Sequence, residues 1–291
     1  MKRFDYTAPR SVDEAVGLLA AHPGALLLAG GTDLIVQLRA RRKQTDLVVD
    51  IKNISELNEL RYDPARGLIL GAAVPCYRMY GDPVVRQTYP ALAEVANLIG
   101  GTQIQGRATA GGNLCNSSPS ADFIPLLIAL QAKCRIARPG GLREVAVEDF
   151  CIAPGRNVLQ PGELLVSFAL PAPEPGSGAY YLRFIPRNEM DIAVAGAGVA
   201  VTLSNGTFRS ARIALSAVAP TPLFVRAAGE SLAGKPVHPE SIAAAAEIAK
   251  AATQPITDMR GTAIYRKHIS GVLTRRALEF AIRRAKEGRQ S

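Results

Sequence analysis

A chain of 291 residues is long enough for two domains or one large one, and with 48% of its residues apolar it can bury a sizeable core. The charge is basic, 34 Lys and Arg against 25 Asp and Glu for a net +9. Yet Trp is absent and aromatics are 5%, so the stacking surface that nucleic-acid binding uses is missing and no nucleic-acid partner is expected. No apolar run reaches the ~18 residues of a membrane span, and the polar "FDYTAPRSVDEA" after "MKR" does not read as a signal peptide, so a cytoplasmic protein is expected.

In chain order, Ser11 and Glu14 form a capping box ahead of the apolar pattern Val12, Ala15, Val16, Leu18 and Leu19, and His22-Pro23-Gly24 stops that helix. "ALLLA" is a short buried strand, "GGTD" a turn, and "DLIVQLRARRK" a helix with Leu34, Ile35 and Leu38 on one face. The basic run Arg39 to Lys43 reads as the solvated side of that helix. "LVVDI" and "LILGAAV" are further strands, and "PALAEVANLIG" is an apolar helix. "GTQIQGRATAGGNLCNSSPSAD" then reads as a long loop without structure of its own, a kind that is uncommon unless functional. A helix over "ADFIPLLIALQA" and a strand over "KCRIA" follow, and "APGRNVLQP" at 153–161 reads as a domain boundary. Beyond it come strands over "ELLVSFALP" and "AYYLRF", a hairpin turning at Asn205-Gly206, and helices over "PESIAAAAEIAKAA" and from about Thr262 to Lys286.

The chemistry is concentrated at two double glycines. Gly30-Gly31 is followed by Thr32 and a helix; Gly111-Gly112 is flanked by Thr109 and Asn113. Glycines let backbone approach a ligand, and successive N–H groups can cradle an anion. One such loop suits one phosphate, and two on one cleft suit a pyrophosphate. Each is also an ordinary turn, and the residues alone leave both readings open. There is no G-x-x-x-x-G-K-[ST], and "GAGVAV" from Gly196 fails the G-x-G-x-x-G pattern inside a strand. The four cysteines, Cys76, Cys115, Cys134 and Cys151, contain no C-x-x-C, and the three histidines no H-E-x-x-H, so no metal ligand set is expected. No residue is assigned a catalytic acid or base role.

Eight stretches, among them "FDYTAPRSVDEAV", "LLLAGGTDL", "GTQIQGRATAGGNLCNSSPSAD", "YYLRFIPRNEMDIAVAGAGV" and "YRKHISGVLTRRAL", resemble in order the FAD-binding (medium) subunit of the molybdenum hydroxylases. They span residue 4 to about 278. The resemblance implies an α+β protein. A two-subdomain FAD-binding fold of the vanillyl-alcohol-oxidase/PCMH type would occupy 1–160 (subdomains about 1–55 and 56–160). An α+β C-terminal domain would occupy 161–291.

It also implies site residues. Leu27, Leu28, Ala29, Gly30, Gly31, Thr32 and Asp33 would hold the pyrophosphate, and Thr109, Ala110, Gly111, Gly112 and Asn113 would form the second loop. Asp122 would be an acidic contact to the flavin, Ile99 and Leu165 would be apolar neighbours, and Arg183 would stand where several members carry Lys. FAD would be non-covalent. The molybdenum cofactor would lie on a large partner chain and two-iron clusters on a small one, with an acceptor such as NAD. A self-sufficient flavin oxidase and a cofactor-free basic scaffold are the alternative readings.

Overall fold

The capping box starts the first helix as its residues dictate. Ser11 Oγ accepts from the Glu14 N–H at 3.2 Å, and the Glu14 carboxylate accepts from the Arg10 N–H at 2.9 Å. The structure, a computed structural model, describes residues 1–288. Its first unit is β1 (Asp5–Thr7), α1 (Val12–Ala21), β2 (Leu26–Leu28), α2 (Leu34–Arg39) and β3 (Leu47–Asp50). The strands form a parallel sheet in the order β1-β3-β2, and α1 buries Ala15, Val16 and Leu19 against it. Strands this short are held by the packing of their faces rather than by propensity.

The second unit begins with β4 (Leu60–Asp63) and β5 (Gly67–Gly71). Then come α3 (Cys76–Gly81), α4 (Pro83–Thr88), α5 (Pro90–Leu98), α6 (Thr102–Gln105), α7 (Ala110–Asn116) and α8 (Phe123–Ala129). It closes with β6 (Lys133–Arg138), β7 (Gly141–Ala146), the small β8 (Cys151–Ala153) and β9 (Arg156–Asn157) pair, and β10 (Leu164–Leu170). β4-β5-β10-β6-β7 is one antiparallel sheet, and Leu70, Leu92, Phe123, Leu127 and Phe168 belong to one core with its helices. β10 lies beyond residue 160, where the sequence placed a boundary, yet it is the central strand of this sheet. The stretch 101–122, read as structureless, contains α6 and α7. Their Gly, Ala and Asn content carries almost no apolar period, which is why the pattern missed them.

The third unit is the meander β11 (Ser177–Phe184), β12 (Ala195–Ser204), β13 (Thr207–Ser216) and β14 (Leu223–Phe224), followed by α9 (Arg226–Glu230), α10 (Pro239–Ala251) and α11 (Ala263–Glu287). The hairpin turns at Asn205 and Gly206, both left-handed (φ 48° and 76°), as the primed turns that suit a twisted hairpin require. One face of this sheet shares a core with α10 and α11, through Val199, Val201, Leu273, Ala277 and Leu278. The other face meets α8. A Cβ at Gly198 would sit 2.5 Å from the Pro125 carbonyl carbon, so α8 lies directly on β12. No helix among the described residues is long and apolar enough to cross a membrane.

Candidate functional site

The two double glycines meet. β2 delivers Ala29 to Asp33 into a turn before α2, and Gly31 takes φ +78°, a conformation that costs an L side chain strain. Gly30 is constrained by contact instead. A Cβ there would lie 2.1 Å from the Arg107 carbonyl oxygen, and Arg107 Nε donates to the Gly30 carbonyl at 3.1 Å. Arg107 stands two residues before Thr109, so the first loop is docked on the approach to the second.

Thr109 is the N-cap of α7, its Oγ1 accepting from the Gly112 N–H at 2.9 Å. The Cys76 N–H donates to the Ala108 carbonyl at 2.8 Å and anchors the turn. Gly111 presses on Ala72, where a Cβ would meet the carbonyl oxygen at 2.4 Å. α2 and α7 have six and seven residues, so a long helix dipole is absent here, and in the second loop the Gly112 and Asn113 N–H groups are already taken by Thr109 Oγ1 and the Thr109 carbonyl. Asn113 Oδ1 is buried without a hydrogen-bond partner among the described residues. An orphaned buried acceptor costs about 1–3 kcal/mol, which a ligand O–H or N–H would relieve.

A cavity of about 460 Å³ runs past both loops. Of the residues the resemblance names, Leu27, Ala29 to Asp33, Thr109, Gly111 to Asn113, Ile99 and Leu165 line it. Four implied residues do not. Leu28 turns its side chain beneath Gly31, and Ala110 is fully buried. Asp122 and Arg183 pair with each other and are not among the lining residues.

Arg183 Nη1 donates to Asp122 Oδ2 at 2.6 Å, Tyr181 Oη donates to Asp122 Oδ1 at 2.6 Å, and Arg183 Nη2 donates to the Leu98 carbonyl at 2.9 Å. Both Asp122 and Arg183 are nearly buried, so the pair is shielded from solvent. Asp122 also makes no side-chain cap bond to α8. Burial pushes the Asp122 carboxyl up, while Arg183 and Tyr181 pull it down. Burial and the Asp122 charge push the Tyr181 phenol well up, leaving it a hydrogen-bond donor. The group thus clamps α5 and the end of the second loop to the C-terminal sheet. Tyr181 went unread in the sequence, although it alternates with Arg183 and so shares its strand face.

Other wall residues were also missed. Glu163 lines the cavity and is gripped by Arg143, Nε to Oε1 at 2.7 Å and Nη2 to Oε2 at 2.6 Å. That grip holds its pKa below the ordinary carboxylate value. Gln37 Nε2 donates to Asn116 Oδ1 at 3.1 Å, tying α2 to α7. Lys43 and His22 line the cavity as well. Cys115 does too, and burial pushes its thiol up to about 12, so it is a packed, unreactive sulfur.

Residues 2–173 match the family model described as the FAD binding domain in molybdopterin dehydrogenase, and residues 180–281 that of the CO dehydrogenase flavoprotein C-terminal domain. The chain is 35% identical over 280 residues to the carbon monoxide dehydrogenase medium chain of Hydrogenophaga pseudoflava, covering 96% of this chain and 97% of that one. It is 31% identical over 278 residues to the xanthine dehydrogenase FAD-binding subunit of Escherichia coli O157:H7, with 95% of each covered. Among solved structures, a carbon monoxide dehydrogenase from Hydrogenophaga pseudoflava superposes with a TM-score of 0.93 at 36% identity, covering 97% of this chain and 98% of that one.

Proposed function

The chain belongs to the FAD-binding medium subunits of the molybdenum hydroxylases, and on that premise we propose that it works in a three-chain complex as the electron-transfer subunit. Substrate is oxidised at a molybdenum cofactor on a large partner chain. Electrons leave through two-iron clusters on a small partner chain, and the final acceptor is a small molecule such as NAD. The complex works in the cytoplasm.

The observation that carries this reading is the docking of two glycine loops on one cleft, Gly30 against Arg107, two residues ahead of Thr109. A pyrophosphate needs donors along its length, and the backbone of Ala29 to Asp33, with Ala110 and Gly111 at the start of α7, would supply them. Asn113 Oδ1 is a buried acceptor waiting for a donor, which the hydroxyls and ring N–H of FAD provide. Ile99 and Leu165 offer apolar contact suited to a flat ring. The residues present therefore fit FAD held without a covalent bond. Bound FAD supplies the redox chemistry of the subunit. The chain contributes binding, orientation and exclusion of water, and none of its side chains is asked to move a proton.

Anaerobic reduction of the flavin by substrate tests the reading. The flavin should bleach in the assembled three-chain complex and stay oxidised in the isolated FAD-loaded chain. Substrate oxidation by the isolated chain would make it a self-sufficient oxidase and sink the proposal.

A further inference from the structure

We propose that Lys43 is the side-chain counter-charge for the phosphates of bound FAD, and so sets how tightly and how salt-dependently this chain holds its cofactor. The inference rests on the FAD-subunit reading above and adds a residue that none of the matched motifs contains.

In sequence Lys43 ends the run Arg39-Ala40-Arg41-Arg42-Lys43, which reads as a solvated helix face. The structure breaks that run. α2 stops at Arg39, Arg41 takes φ 56°, and the Arg42 and Lys43 N–H groups both return to the Gln37 carbonyl, at 2.9 and 3.3 Å. The reversal brings Lys43 back beside Gln37, whose side chain is bonded to Asn116 at the end of α7. Lys43 lines the cavity; Arg39, Arg41 and Arg42 do not.

Charge in the wall is short on the positive side. Among the described residues lining the cavity, Lys43 and His22 are the basic ones, Asp33 and Glu163 the acidic ones, and Glu163 is already paired with Arg143. Lys43 has no hydrogen-bond or ion-pair partner for its ammonium among the described residues. Its charge acts on both loops, opposing the burial that raises Asp33 on the first and Cys115 on the second. A pyrophosphate carries two negative charges. Backbone N–H groups solvate it but bring no net charge, and Asp33 repels it. An ammonium on a flexible stem reaches a phosphate as a point charge. Its exposed position makes that attraction sensitive to screening.

The test titrates FAD into the deflavinated full-length chain by calorimetry, at about 20 mM and about 500 mM salt, where the screening length falls well below 10 Å. Lys43→Met should weaken FAD binding about five- to tenfold at low salt, and by less than about twofold at high salt. Lys43→Arg should stay within about twofold of wild type, and so should Arg42→Met, which removes the same charge from outside the cavity. Equal affinity of Lys43→Met and wild type at low salt would overturn the proposal. So would a loss of the same size in Arg42→Met, or one that persists at high salt. A wild-type chain that binds no FAD would overturn the FAD-subunit reading itself, and this inference with it.

Discussion

Gly30 and Gly31 restrain the same loop by different means, and the difference predicts different phenotypes. At Gly31 the obstacle is φ +78°, worth about 1–2 kcal/mol to an L residue, plus contact with the mobile ends of Leu28 and Ile35. At Gly30 the obstacle is the Arg107 backbone, which cannot swing aside. Gly31→Ala should therefore fold about 1–2 kcal/mol less stably and keep some FAD, whereas Gly30→Ala should pry the loops apart and lose it. Flavin-to-protein ratio after gel filtration, with urea unfolding alongside, checks both; equal flavin retention would mean the loop junction does not shape the site. Asp122 calls for a similar comparison. Asp122→Asn leaves Arg183 buried without its carboxylate, and breaking such a pair costs several kcal/mol. The amide keeps one acceptor, so a loss of roughly 2–3 kcal/mol in urea is expected. Adding Arg183→Met should recover part of it, short of full recovery because the Leu98 carbonyl loses its donor. A fall in FAD affinity at an unchanged urea midpoint would assign the carboxylate to the cofactor instead.

Short elements build the cleft, and polar clasps hold them. The turn 160–163 closes one wall because Glu163 accepts from Arg143 twice and from the Gln160 N–H at 2.9 Å. Those bonds depress the Glu163 pKa below its ordinary 4.5, the Arg143 bonds contributing most. A depressed carboxylate binds its proton later in the folded chain than in the unfolded one. Its stabilisation is therefore complete above about 4.5 and drains away as pH falls through the lower, folded-state value. Wild type should lose stability on acidification through that window. Glu163→Gln should start lower at neutral pH and run flatter there, so the two curves converge in acid. Parallel curves from urea melts between pH 6 and pH 3 would show that Glu163 does not carry the pH dependence.

At the scale of the whole molecule, the C-terminal sheet is packed on both faces, by α10 and α11 on one side and by α8 on the other. The cleft lined by both glycine loops belongs to the first two units, yet its second loop ends at Asp122, which the third unit holds through Tyr181 and Arg183. Disturbing the contact between α8 and the sheet should therefore be felt at the cleft. Gly198→Val places a side chain against the Pro125–Leu126 backbone, overpacking that typically costs about 1–3 kcal/mol. The variant should unfold earlier and release FAD faster than wild type, read by thermal melting and by flavin fluorescence on release. Early unfolding with unchanged flavin release would show that the sheet supports the fold without supporting the site.

Local signals were sufficient wherever one residue type had one use. The Ser11–Glu14 box, the Asn205-Gly206 hairpin, the helices at 239–251 and 263–287, and the Gly30-Gly31 turn were legible because caps, turns and apolar periods act over a few residues. The motifs of the whole chain likewise carried the family, and with it FAD. Tertiary structure decided what depends on distant neighbours. β10 joined the sheet of the second unit because its partners are β5, about a hundred residues before it, and β6, about thirty residues before it. The resemblance set Asp122 beside the flavin and left Arg183 without a settled role; the fold joins the two to one another across sixty-one positions. Arg39 to Lys43 looked uniform as a run of charge, until a left-handed residue at Arg41 sent Lys43 into the cleft and left its neighbours outside. Caps and turns are short-range and can be read along the chain; which charge meets which depends on how the three units pack, and no window of sequence contains that packing.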